Sequence, residues 1–120
     1  MNPQDLPPCL EVATVGQVTV ARFTREVVLS GKDAEVVGEH LRTLLAEPAR
    51  RKLLLDFANV LSLSSLILGK LIMLNRVAES AAGKLALCNL RPGIREIMDA
   101  SRLSLILYIY AEEQEALQSF

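Results

Sequence analysis

The sequence predicts an α/β domain: a mostly parallel mixed sheet opened by an N-terminal β-hairpin, with about four helices, in the order β-β-α-β-α-β-α-β-α. Three observations lead there. The 120 residues fill one domain and leave no room for two. Apolar residues make up 51% of the chain but aromatic residues only 4%, and a Leu, Val, Ile and Ala core suits helices on a buried parallel sheet better than a β-sandwich. After two β-branched runs, short continuous apolar runs alternate with segments of 3.6-residue period, which is the pattern of right-handed βαβ crossovers.

Residues 1–9, polar and Pro-rich, read as a flexible arm, and residues 10–120 as the domain. Leu10 to Val15 and Val18 to Phe23 alternate partially around Gly16-Gln17, where Gly at the first central position suits a type II′ hairpin turn. From Lys32 to Glu47, Ala34, Val37, Leu41, Leu44 and Leu45 form one helical stripe with Glu35, Glu39, Arg42 and Glu47 outside it. Ser30 and Asp33 resemble a capping box, and Pro48 ends the helix. Leu53-Leu54-Leu55 before Asp56-Phe57 has the unbroken apolar character of a central strand covered on both faces. Asn59 to Leu63 reads as a loop, followed by a helix from Ser64 or Ser65 to Ala82, with Gly83 as its C-terminal stop. Lys84 to Asn89 is the next strand, and Pro92 opens a helix with a face of Ile94, Ile97, Met98 and Ala100. Leu105 to Tyr110 is the last strand and Glu112 to Phe120 a terminal helix with acidic residues in its first turn.

Composition excludes several functions. Thirteen Lys and Arg against fourteen Asp and Glu give a net charge of −1 and no basic footprint for nucleic acid; Arg50, Arg51 and Lys52 read as a solvated loop. The apolar stretch from Leu53 to Leu74 is interrupted by Asp56, Asn59 and Lys70, so no membrane insertion is expected. Cys9 and Cys88 lack disulfide or metal spacing; Cys88 reads as a small buried hydrophobe and Cys9 as an exposed free thiol. The N-terminus has neither a basic nor an apolar signal region, which with free thiols predicts a cytoplasmic protein.

Catalysis needs convergent groups, and the chain is short of them. His40, the only histidine, falls at the boundary of a helical stripe with no nucleophile or orienting partner placed beside it. Gly69-Lys70 lies within a helix, not in a Gly-rich phosphate loop. Asp56 reads as a strand-end carboxylate bonding loop backbone. No enzyme, cofactor or metal is expected.

The informative stretch is LLLDFANVLSLSSLILGKLI, Leu53 to Ile72. A serine at a helix start ordinarily caps it. The same place, with free N–H groups and the positive end of the helix dipole, also stabilises an added phosphate. The helix is apolar around most of its circumference, so a strip including Leu66, Met73 and Val77 is left to meet neighbouring helices or a partner.

This stretch resembles the signature of STAS domains, specifically bacterial anti-sigma factor antagonists: an apolar strand ending in Asp, then Asp-Ser-Ser/Thr-Gly-Leu-Gly opening a helix. Ser64 falls on the family's Asp, Ser65 on its phosphorylated serine, Leu66 on the following Ser/Thr and Ile67 on the Gly, while Leu68 and Gly69 match the closing Leu-Gly. Gly83 to Asn89 and Tyr110 to Leu117 are similar to later family segments. The resemblance implies a STAS fold and a partner switch. The unphosphorylated domain binds an anti-sigma factor that is a serine kinase of the GHKL type, phosphorylation of Ser65 (or its rival Ser64) releases it, and a phosphatase restores binding. The departures at Ser64, Leu66 and Ile67 leave open a constitutive STAS interaction module, as in a stressosome-like scaffold or a lipid-transporter subunit.

Overall fold

The computed structural model describes residues 9–120, so the arm expected over residues 1–9 lies, but for Cys9, outside the described residues. The order is β1 (Leu10–Val15), β2 (Val18–Phe23), β3 (Val27–Leu29), α1 (Gly31–Ala46), β4 (Lys52–Asp56), β5 (Val60–Leu63), α2 (Ser65–Ser80), β6 (Lys84–Cys88), α3 (Pro92–Ala100), β7 (Tyr108–Tyr110) and α4 (Glu113–Gln118). Five strands form the main sheet in the order β1-β2-β4-β6-β7, antiparallel only between β1 and β2. The five-stranded sheet and the four helices are the expected architecture, and β3 and β5 are strands beyond it.

The hairpin closes with Val15 opposite Val18, and Gly16 takes φ +62° while Gln17 stays out of the positive-φ region, as a type II′ turn requires. β4 is the middle strand. Leu53, Leu54 and Leu55 are all shut away from solvent because helices cover one face and α4 the other. Leu53 and Leu55 belong to the larger core under α1, α2 and α3; Leu54 belongs to the smaller one under α4. The α1 stripe of Ala34, Val37, Leu41, Leu44 and Leu45 is buried as its period demands. Gly38 is buried with it, since a Cβ there would collide with the aliphatic stem of Lys70 from α2.

Four expectations are corrected. The Ser30–Asp33 capping box does not form: Ser30 occupies the N-cap position but its exposed hydroxyl, open to competing water, makes no cap hydrogen bond. Val60–Leu63, expected within a loop, is a strand that pairs in parallel with β3 to make a separate two-stranded ribbon. The last strand is only Tyr108–Tyr110. Leu103–Leu105 is instead a 3-10 turn that throws Leu105 81% into solvent. In α3, Ile94 and Met98 are buried, but Ile97 and Ala100 are exposed because this short helix sits on the rim and buries a single i, i+4 pair.

The end of α2 also differs from its expected form. The left-handed residue that closes the helix is Ala82, at φ +58°, not Gly83. Ala82 N–H donates to Glu79 C=O at 3.1 Å and Gly83 N–H to Ala78 C=O at 2.7 Å, which is a Schellman pair. Gly83 is needed for closeness instead: a Cβ there would strike the Arg51 carbonyl oxygen. Lys84 N–H donates to that same Arg51 carbonyl at 2.8 Å, so helix end and sheet start are stitched together.

The two positions should therefore respond oppositely. Ala82→Gly should raise stability by about 1 kcal/mol by relieving left-handed strain, a gain of roughly 3 °C in melting temperature at this size. Gly83→Ala should lower stability by about 2 kcal/mol or more through backbone collision. Thermal denaturation of both variants checks the assignment, and a stabilising Gly83→Ala would overturn it.

Candidate functional site

The corner where β5 hands over to α2 is built from loop contacts that hold it in place. Asp56, at the end of β4, accepts the Ala58 N–H at 2.9 Å and the Asn89 side-chain amide at 3.2 Å, with Arg22 Nε 3.6 Å away. Its role is the structural one expected for a strand-end carboxylate. Asn59 donates its side-chain amide to Phe23 C=O at 2.6 Å, and Asn59 C=O accepts the Val27 N–H at 2.9 Å. Arg91 donates through Nε to Ala58 C=O at 2.9 Å and pairs with Glu26 at 3.2 Å. These bonds pin the turn after β4 against the β2–β3 connection, and the β3–β5 ribbon follows from that fixed point.

The ribbon sets the two serines apart. Ser64 N–H donates to Leu29 C=O at 2.9 Å, which fixes its backbone as the N-cap of α2 at φ −95°, ψ 167°. Its hydroxyl is turned inward, buried, and has no hydrogen-bond partner, so the ordinary capping bond is not made. Ser65 is the first helical residue and is exposed. The first turn of α2 therefore carries backbone N–H groups that no side chain caps, beside an exposed hydroxyl. A phosphate added there would meet donors and the positive end of a 16-residue helix. A phosphate on Ser64 would have to displace packing first.

The residues expected to face a partner divide in the same way. Leu66 is 40% exposed and Met73 58%, so both leave apolar surface in solvent. Val77 is only half-exposed and packs against the main core, so it contributes an edge. Ile67, at the family's Gly position, is buried in that core. Asn75, a polar residue on α2, is only 2% exposed. Its side-chain amide reaches Glu79 at 3.4 Å and Ile106 C=O at 3.5 Å, and its side-chain oxygen finds no partner.

Sequence reasoning missed two further exposed apolar residues near the corner. Val28 on β3 and Leu61 on β5 are exposed apolar residues of the ribbon that leads into Ser65. The β-branched Val27-Val28 pair and the alternation through Val60 to Leu63 are the signals that could have found them. A cleft of about 450 Å³ beside the ribbon is lined by Cys9, Arg25, Val28, Asp33 and Val36.

Among the described residues no cluster of His, Cys, Asp and Glu could hold a metal ion. His40 is half-buried on α1. Cys88 is buried, and burial pushes its thiol up to about 12, with the Asp56 charge adding to the shift. Cys9 is only partly exposed. No described helix is long and apolar enough to cross a membrane.

Comparison with known proteins is consistent with this geometry. Among solved structures, the Thermotoga maritima protein TM1081 superposes with a TM-score of 0.82 at 20% identity, over 92% of each chain. An anti-sigma-factor antagonist (STAS) domain protein from Planctomyces limnophilus gives 0.79 at 21% identity, over 92% of this chain and 96% of that one. The phosphorylated form of SpoIIAA, a Bacillus cell fate determinant, gives 0.63 at 23% identity, over 92% of this chain and 97% of that one. No curated protein sequence matches. The STAS domain family model matches residues 10–116, nearly the whole described chain, and the protein belongs to the STAS domain family.

Proposed function

We propose that this protein is a partner-binding switch of the anti-sigma factor antagonist type, acting by association and carrying out no chemistry itself. Its partner is an anti-sigma factor that is also a serine kinase of the GHKL type. Phosphorylation at Ser65 releases that partner and a phosphatase restores binding. The observation that carries the reading is the division of the two serines, with the Ser65 hydroxyl presented to solvent at the open start of α2 and the Ser64 hydroxyl buried. Support also comes from the structural likeness to SpoIIAA, which exists in a phosphorylated and an unphosphorylated form.

The physical logic rests on two environments meeting at one residue. The helix start favours the phosphate, so the fold survives modification. Exposed apolar residues stand on the elements that meet there, Leu66 and Met73 on α2 and Val28 and Leu61 on the ribbon. About two negative charges placed in a contact made by those residues must be desolvated there, and the complex loses affinity while the free domain does not lose stability.

The cognate kinase should phosphorylate wild type and Ser64→Ala but not Ser65→Ala, measured by mass spectrometry of the Ser64–Ser65 peptide. Ser65→Asp should weaken partner binding by about a hundredfold, equivalent to about 3 kcal/mol, with its melting temperature near that of wild type. Phosphate found on Ser64 alone would overturn the site. Phosphate on neither serine, with partner binding intact, would make the domain a constitutive binder.

Met73 supplies a separate test of the face. Met73→Lys should weaken partner binding by about tenfold or more, since it puts a charge into the apolar contact, and should leave thermal stability within about 0.5 kcal/mol, as for other exposed positions. A large fall in melting temperature would place Met73 in the core and remove it from the binding face.

A further inference from the structure

The two faces of the main sheet are covered very unequally. Three helices, α1, α2 and α3, pack on one face. On the other, Val18, Val20, Leu54, Ala86 and Cys88 are buried and, among the described residues, the only helix over them is α4. That helix has six residues, far below the length at which a helix holds its shape alone in water. Ala111 and Glu112 alone connect it to β7. Its order therefore depends on being docked.

Two fixings hold it, one at each end. Glu113, in the first turn, pairs with Arg22 on β2. At the other end, Lys84 on β6 reaches the turn that follows α4, donating from Nζ to Ser119 C=O at 3.1 Å, Ser119 Oγ at 2.9 Å and the Tyr110 hydroxyl at 3.0 Å. The same ammonium stands 4.6 Å from the centre of the Tyr108 ring, 5.3 Å from Tyr110 and 5.2 Å from Phe120. A cation there also meets the negative end of the α4 dipole. Hydrogen bonds with Ser119 and then Lys84 hold the Tyr110 phenol below its ordinary pKa.

We propose that α4 is a releasable strap latched by Lys84, opening ahead of global unfolding to present a second apolar sheet face on the side of the molecule opposite α2. Release costs the cover of one short helix and two fixings, whereas α1 and α2 are tied into the main core along their whole length. The serine corner stays in place, because its hydrogen bonds run through Asp56, Asn59 and Arg91 to groups outside α4, and its link to α4 is indirect, through Arg22, which pairs with Glu113 and stands 3.6 Å from Asp56. Cys88, beneath the strap, reports its position.

The test uses the full chain with Cys9→Ser, which leaves Cys88 as the sole thiol. Reaction with 5,5′-dithiobis(2-nitrobenzoate), a disulfide that forms a mixed disulfide with the thiolate and releases coloured thionitrobenzoate, is followed against urea. In the otherwise unmutated chain the rate should depend only weakly on low urea, the mark of a local opening. Adding Lys84→Met should speed labelling by about tenfold with the same weak dependence, through loss of the cation–π and hydrogen-bond contacts. Adding Glu113→Gln, at the other end, should speed it by a smaller factor. A urea dependence as steep as that of global unfolding would overturn the proposal, because α4 would then be part of the single cooperative unit. An unchanged rate in Lys84→Met would overturn the latch.

Discussion

The structure depends on one constraint: a strand whose every side chain must be hidden. β4 has Leu53, Leu54 and Leu55 in succession, and because neighbouring side chains point to opposite faces, no single layer of helices can shelter all three. Both faces must be covered. That requirement puts α1 and α2 on one side, calls for α4 on the other, and fixes β4 in the middle of the sheet. It also fixes where the ends of β4 emerge. Asp56 leaves the carboxyl end as a polar group whose hydrogen bonds shape the turn beyond it. The serine corner inherits its position from that turn.

If the proposed switch operates, the corner joins two requirements that usually conflict. A binding face has to be apolar enough to adhere, and a phosphoacceptor has to tolerate a dianion. Here they are separated by a single residue step. The ribbon of β3 and β5 delivers Ser64 inward and Ser65 outward, so a buried hydroxyl and an exposed one stand side by side at the start of the same helix. In the proposed switch, a phosphate at Ser65 would be favoured by the helix's own backbone and costly only to the partner. Ile67, at the position of the family's Gly, turns into the core beneath the helix start.

Elements with a strong local signal were legible in the sequence. The hairpin was readable from Gly16-Gln17 between alternating runs, α1 from its stripe, and β4 from its run of leucines. The 3.6-residue period that follows the two serines located the start of α2 at Ser64 or Ser65, and the helix begins at Ser65. What was not legible depended on partners far along the chain. Val60 to Leu63 is too short for its alternation to outweigh a loop reading, and its strand identity comes from pairing with β3 about thirty residues earlier. Leu105 and Ile106 look like strand residues by type, but the left-handed turn at Arg102 and the 3-10 turn after it point them outward. Gly83 was expected to serve the helix end by its conformation and serves instead by lacking a side chain against Arg51. The Ser30 hydroxyl was expected to cap, and capping is the ordinary use of a serine where Ser64 stands, but side-chain rotation is decided by the surroundings and not by the motif.

Gly38 has a consequence for how α2 can be approached. With no side chain there, Lys70 lays its stem across α1 and fills the seam between the two helices. That flank of α2 is closed. On its outer side Gly69 stands between Leu66 and Met73 with open space where a Cβ would be. The result is a notch one side chain deep, with an apolar shoulder above and below, so a visiting backbone can settle closer to α2 at Gly69 than anywhere else along the helix's exposed edge.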